Sequence, residues 1–216
     1  MKDTDLLQEY LLPERRRRLT EVLKERTIGL TVVIENFNKE NNYQAVLRTC
    51  EAFGIQHVHI VPQPEQERIV RFITQGCEKW LTLHYHASYS SCLDVLREGG
   101  YRVVVGSLGR GAVSLETMDF SGRVALVFSN ELDGAGEEVV ASADGLFVIP
   151  LAGFTQSLNV SVAAGIAIHH VRSWKRNMEG SLEGLSGEES DGLLEEWVRG
   201  SVRNAEGILS EMRNRK

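Results

Sequence analysis

The chain has 216 residues, 42% of them hydrophobic and 25% charged, the make-up of a globular protein with one domain plus attachments, or at most two small domains. No stretch approaches the roughly 20 consecutive apolar residues of a membrane span. The acidic, polar start Met1-Lys2-Asp3-Thr4-Asp5 does not read as a secretory signal. A net charge of −6 argues on its own against nucleic acid as a partner, but residues 13–26 carry six basic side chains against three acidic ones.

Taken in chain order, the apolar spacing first predicts two helices within residues 1–26, broken near Pro13. Leu6, Leu7, Tyr10 and Leu11 mark the first, and Leu19, Val22 and Leu23 the second. Arg15, Arg16, Arg17 and Arg18 are consecutive and so point to every side of that second helix. They form either a solvated face with charge pairing at i,i+3 and i,i+4 or a basic arm for phosphates. A strand rich in β-branched residues follows over 30–34. Residues 36–42 are polar and loop-like, and a helix then runs to Phe53, stopped by Gly54. A second strand covers 57–61. Residues 62–79 show no clear period, and 80–86 alternate like a strand. A helix over 90–98 is closed by Gly99 and Gly100. A strand over 101–106, a glycine-rich turn, a strand over 123–129, a helix over 137–141 and a strand over 145–151 come next. A polar loop leads into a helix over 159–174. Residues 178–189 read as a linker, and 190–216 have the spacing of a docking or packing helix.

Strand and helix alternating across short glycine-rich joints give an α/β protein with a mainly parallel sheet flanked by helices. The strands are nearly continuous apolar runs, as expected when both faces are covered. Cys50, Cys77 and Cys92 form no CxxC and sit among apolar residues, so a reducing cytoplasm is the simplest home. There is no Walker loop, no GxGxxG after the first strand, no GxSxG and no HExxH. His57-x-His59 and His84-x-His86 each set two histidines on one strand face, but no carboxylate or cysteine completes a ligand set in the sequence nearby. No metal site is expected.

Ligands of open α/β sheets bind beyond the carboxyl ends of the strands, and three segments there are unusually polar. Residues 35–50 run from Glu35-Asn36 to Leu47-Arg48-Thr49. Asn41 or Asn42 suits a helix N-cap. Arg48 sits in an otherwise apolar helix with little room for exposure, and it lies about 120° round the helix from Asn42. Its plain alternatives are a pair with Glu51 or a snorkelling side chain. Residues 127–134 place Asn130 and Glu131 directly after an apolar run, either as a pocket rim or as an ordinary turn. Residues 149–165 run from Ile149-Pro150 through Gln156-Ser157-Leu158-Asn159 into a helix of small residues, in which Ser157 or Asn159 can cap.

Together these segments resemble the SPOUT methyltransferases, and within them the TrmH type, the tRNA guanosine-18 2′-O-methyltransferases. The resemblance runs from about Arg15 to Trp174. It rests on Asn42 with Leu47-Arg48-Thr49 and Ala52-Phe53-Gly54, on Asn130-Glu131 with Gly134, and on Ile149-Pro150 with Gln156-Ser157-Leu158-Asn159-Val160-Ser161. Gly76-Cys77-Glu78-Lys79-Trp80 also matches. The family's usual Lys-Pro-His-Asn reads Lys39-Glu40-Asn41-Asn42 here.

The resemblance implies a SPOUT fold with a C-terminal trefoil knot. It implies an N-terminal basic helical extension over 1–28, the methyltransferase domain over 29–174, and a linker with a C-terminal helix over 175–216. S-adenosylmethionine is the implied cofactor, with contacts at Gly106, Ile149, Leu158 and Asn130. Arg48, Asn42, Glu131, Ser157 and Asn159 are the implied catalytic set. Arg15, Arg16, Arg17 and Arg18 are implied to grip tRNA, and the working form is a homodimer in the cytoplasm. Ribosomal RNA as substrate, or RNA binding without catalysis, are the alternatives.

Overall fold

The computed structural model describes residues 3–63, 79–130 and 132–214. Glu131, Cys77 and most of the Gly76-Cys77-Glu78-Lys79-Trp80 match lie outside the described residues. The chain divides into two compact units, one of residues 27–183 and one made from both chain ends, 1–26 and 184–216.

The larger unit is built on one seven-stranded sheet. In chain order its elements are β1 (Leu30–Glu35), α3 (Glu40–Ala52), β2 (His57–Val61), β3 (Thr82–Tyr85), α4 (Tyr89–Glu98), β4 (Arg102–Gly106), β5 (Val113–Ser114), β6 (Val124–Phe128), α5 (Glu137–Ala141), β7 (Gly145–Val148) and α6 (Val160–Met178). The spatial order is β3-β2-β1-β6-β4-β7-β5, and each of these pairings is parallel. This is the mainly parallel, helix-flanked sheet that the sequence predicts.

Alternation along the strands explains why both faces had to be covered. Val32 and Ile34, Val58 and Ile60, and Leu126 and Phe128 pack with Val46, Leu47 and Cys50 of α3 and with Ala164, Ala167, Ile168 and Val171 of α6. Their neighbours Val33, Val61, Val103, Val105, Ala125 and Val127 face the other way, toward Cys92, Leu93 and Leu96 of α4 and Val139 of α5. Every residue of β1 and β6 is buried, which is why these central strands read as unbroken apolar runs.

Local signals set the helix ends. Gly54 takes φ of 72°, a left-handed value natural for glycine, and the amides of Gly54 and Ile55 close the end of α3 on the carbonyls of Glu51 and Cys50. Ser88 and Ser91 form a reciprocal capping box on α4. Asn159 caps α6 by accepting from the amide of Ser161 at 2.9 Å.

The smaller unit is helical. It holds α1 (Asp3–Gln8), α2 (Pro13–Lys24), α7 (Gly187–Ser201) and α8 (Ala205–Asn214). Pro13 opens α2 at a position where its missing amide costs nothing. Helix α7 starts inside the stretch read from sequence as a linker, on a capping box between Ser186 and Glu189. The tail is two helices, not one, because the chain breaks at Asn204 with a φ of 60°. Trp197 is buried with the Arg26 guanidinium 5.1 Å from its ring centroid.

Candidate active site

The carboxyl ends of the neighbouring strands β6, β4 and β7 open onto a cleft of about 540 Å³, within the range of small-molecule sites. Three loops line it: 106–110 after β4, the turn after β6, and the stretch after β7 that ends at α6. Of the residues expected to contact a cofactor, Gly106, Asn130, Ile149 and Leu158 all line this one cleft, and so does Ser157. Gly106 has a clear reason to be glycine, since a Cβ there would meet Phe147 Cζ at 3.2 Å. Apolar walls from Phe128, Phe147, Val148 and Ile149 meet backbone amides and carbonyls from the loops. That combination suits an apolar-faced, polar-edged ligand.

Asn130 shapes the cleft by using up its own side chain. Its Oδ1 accepts from the amides of Leu132 (2.6 Å) and Asp133 (3.1 Å) and from Asn38 Nδ2 (3.1 Å), and its Nδ2 donates to Asp133 Oδ2 at 3.0 Å. Gln63 Nε2 extends this network by donating to Asn38 Oδ1 at 3.1 Å. Asn38 and Gln63 were not singled out from sequence, because their partner lies up to 92 positions away. Glu35 was also missed. It is a buried carboxylate at the end of β1 that accepts from Asn36 Nδ2, and burial raises its pKa above the ordinary carboxylate value.

The proposed catalytic set is brought together only in part. Asn159 Nδ2 donates to Asn42 Oδ1 at 3.1 Å, joining the first turn of α3 to the N-terminus of α6 across 117 positions. Asn42 is not the N-cap expected of it. Lys39 holds that place, Asn42 lies one turn in and is buried, and its side chain is engaged by Asn159. The expectation that Arg48 has little room for exposure is also corrected. Tyr43, Val46, Leu47 and Cys50 take the inward positions of α3, which leaves Arg48 on the exposed side. Arg48 makes no ion pair with Glu51 and no side-chain hydrogen bond among the described residues.

Arg15, Arg16, Arg17 and Arg18 all lie on α2 in the smaller unit. Arg15 and Arg16 are half-buried, while Arg17 and Arg18 are exposed. Arg17 pairs with Glu21 at 3.6 Å, so some of the charge pairing read from sequence is present. No helix among the described residues is long and apolar enough to cross a membrane.

Residues 29–169 match the model of the SpoU rRNA methylase family. The chain belongs to this family. The SpoU-family chain is 35% identical over 197 residues to the tRNA (guanosine(18)-2′-O)-methyltransferase of Aquifex aeolicus, covering 89% of this chain and 93% of that one. Among solved structures it is similar to the A. aeolicus TrmH/SpoU tRNA modifying enzyme, with TM-score 0.77, 34% identity, and coverage of 88% and 98%. It is also similar to the AdoMet-bound rRNA methyltransferase of Sinorhizobium meliloti, with TM-score 0.60 and 27% identity, covering 72% of this chain and 60% of that chain.

Proposed function

We propose that this SpoU-family chain transfers the methyl group of S-adenosylmethionine to a ribose 2′-oxygen of tRNA, at guanosine 18. One observation carries the choice of substrate. The tRNA (guanosine-18) relative is matched over nearly its whole length, whereas the ribosomal RNA enzyme is matched over 60% of its chain.

The cleft fits the cofactor in size and chemistry: an apolar slot for a purine face, rimmed by backbone donors and acceptors of glycine-rich loops. Gly106, Ile149 and Leu158 would hold it, with Asn130 keeping the middle loop in shape. When bound, S-adenosylmethionine supplies a methyl group made electrophilic by its sulfonium. The apolar walls keep water out, which favours a reaction in which charge is lost toward the transition state. Arg48 presents a planar fork of donors on the open side of α3, suited to clamping the phosphate beside the reacting ribose and to stabilising negative charge on its oxygen. The Asn159–Asn42 hydrogen bond ties that helix to the loop carrying Ser157 and Leu158, so Asn42 and Asn159 act as positioning residues. Ser157, exposed on the cleft rim, is placed to orient the substrate, and Glu131 completes the set by resemblance.

The exposed arginine calls for a surface to finish the site. Val162 and Ile166 on α6 and Phe154 in the loop before it are large apolar side chains left open to solvent. These open apolar side chains support the homodimer reading, in which a second copy of the chain covers them. The C-terminal trefoil knot and the cytoplasmic setting belong to this same reading. So does a tRNA-gripping role for the helices at both chain ends, with Arg17 and Arg18 as its exposed cations.

The experiment is methyl transfer from S-adenosylmethionine carrying a labelled methyl group, offered a tRNA pool and ribosomal RNA separately. The label enters tRNA. Label in ribosomal RNA alone favours the alternative substrate, and RNA binding without label in either favours a non-catalytic role.

A further inference from the structure

The sheet face beneath α4 carries four histidines that the methyltransferase reading does not use. His57 and His59 leave β2 on the side of Val33 and Val61, and the register pairs His59 with His84 of β3. His57 Nδ1 and His84 Nε2 lie 2.9 Å apart, as do His59 Nδ1 and His86 Nε2. The His59 ring stacks on His84 and on His86, with centroids 4.7 and 5.1 Å away. The sequence offered no cysteine beside these pairs, but the fold brings one. Cys92, buried on α4, places its sulfur so that it and one ring nitrogen each of His59 and His86 all lie within 4.8 Å of one another.

We propose that His59, His86 and Cys92 form a binding site for a divalent transition-metal ion of the zinc class, with a fourth position left to solvent on the His86 side. Two imidazoles and a sulfur select such an ion over magnesium or calcium, which require oxygen. Zinc bonds of about 2.0–2.1 Å to nitrogen and about 2.3 Å to sulfur need only a modest opening of the 2.9 Å ring contact and a closing of the sulfur. His86 is half-buried and gives the ion a way in, while His59 is 4% exposed and fixed. Each imidazole has two ring nitrogens, so one can bind the ion while the other carries the N–H.

Proton balance is simple. The two histidines shift their N–H to the ring nitrogen that does not bind metal, releasing nothing. The Cys92 thiol, pushed up to about 12 by burial when no metal is bound, gives one proton to solvent and becomes the thiolate ligand. The bound ion ties β2, the end of β3 and α4 together.

The test uses the full, untagged chain stripped with a chelator and titrated with Co²⁺, then Zn²⁺. The expected result is one equivalent of Co²⁺ giving a thiolate-to-cobalt charge-transfer band, bleached by Zn²⁺, and a thermal midpoint raised by Zn²⁺. Cys92→Ala and His86→Gln each abolish the band, while Cys77→Ala keeps it. His86→Gln alters a half-exposed side chain, so it decides the matter even if Cys92→Ala does not fold. No band in the unaltered chain, a band that survives either of the two site substitutions, or a band abolished by Cys77→Ala overturns the proposal.

Discussion

Two parts of the same sheet handle polar groups in opposite ways. At the carboxyl ends of β6, β4 and β7, side chains such as Asn130 and Asp133 are spent on one another and on loop amides. What remains for a ligand there is backbone and apolar wall. At the β2–β3 edge the histidine rings pair with one another, sharing one proton between two nitrogens. The first arrangement is a rigid mould for a neutral-faced organic ligand. The second is a cluster of neutral donors facing a buried thiol. The difference shows that a site is defined less by how polar its residues are than by which of their atoms are left over.

The largest effect expected on the cleft side is from Arg48→Ala. Methyl transfer to tRNA falls by about 10²–10³-fold, the usual cost of losing one charge-stabilising donor, while calorimetric binding of S-adenosylmethionine changes less than twofold. Equal turnover of variant and parent breaks the division between a cofactor mould and a separate RNA-facing cation.

Gly106→Val comes next. A Cβ there already meets Phe147 at 3.2 Å, and valine's two methyls force that ring toward the cleft, weakening S-adenosylmethionine binding roughly tenfold (about 1.4 kcal/mol) while leaving the histidine edge untouched. Unchanged affinity removes Gly106 from the site.

The joint between Asn42 and Asn159 is tested by a double-mutant cycle of unfolding free energies. Asn159→Ala loses both the α6 cap and the hydrogen bond, and Asn42→Ala loses the same hydrogen bond, with a coupling of about 1 kcal/mol. Additive losses show the bond contributes nothing.

The histidine edge responds to pH. His59 has a folded pKa of about 3 against the ordinary 6.5, so between those values the unfolded chain binds a proton that the folded chain does not. Its contribution to stability is complete above about pH 6.5 and is lost as pH falls toward 3. His84 and His86 face it, and burial lowers their pKa values too, so they add to this slope. In denaturant titrations from about pH 7 to about pH 4, His59→Gln shows a shallower decline than the parent. Parallel curves contradict burial of a neutral imidazole.

The smallest effect is on the arm. Arg17→Gln with Arg18→Gln flattens the salt dependence of tRNA binding by about 0.7–0.9 in logarithmic slope for each phosphate that is no longer neutralised. An unchanged slope returns α2 to a solvated, internally paired helix.

What could be read from the sequence follows from how local each signal is. Strands β1, β2, β4 and β6 were legible because burial on both faces writes a continuous apolar run. Gly54 and Asn159 were legible because caps act within a few residues. Strand β5 was not, since Val113 and Ser114 alone carry no period and owe their pairing to β7. The tail's division into two helices depends on a single residue, Asn204. The exposed position of Arg48 follows from which neighbours α3 turns inward, a matter of only about 100° of helix rotation. The networks of Asn38, Asn130 and Gln63, and of the histidines with Cys92, join residues 25 to 92 positions apart or lie on facing elements. No spacing rule reaches that far.

The most direct test of the whole account is alkaline hydrolysis of end-labelled tRNA after incubation with the chain and S-adenosylmethionine. A methylated 2′-oxygen can no longer attack the adjoining phosphate, so the account predicts a single gap in the ladder, on the 3′ side of guanosine 18. A full ladder despite methyl incorporation, or a gap at another nucleotide, contradicts it.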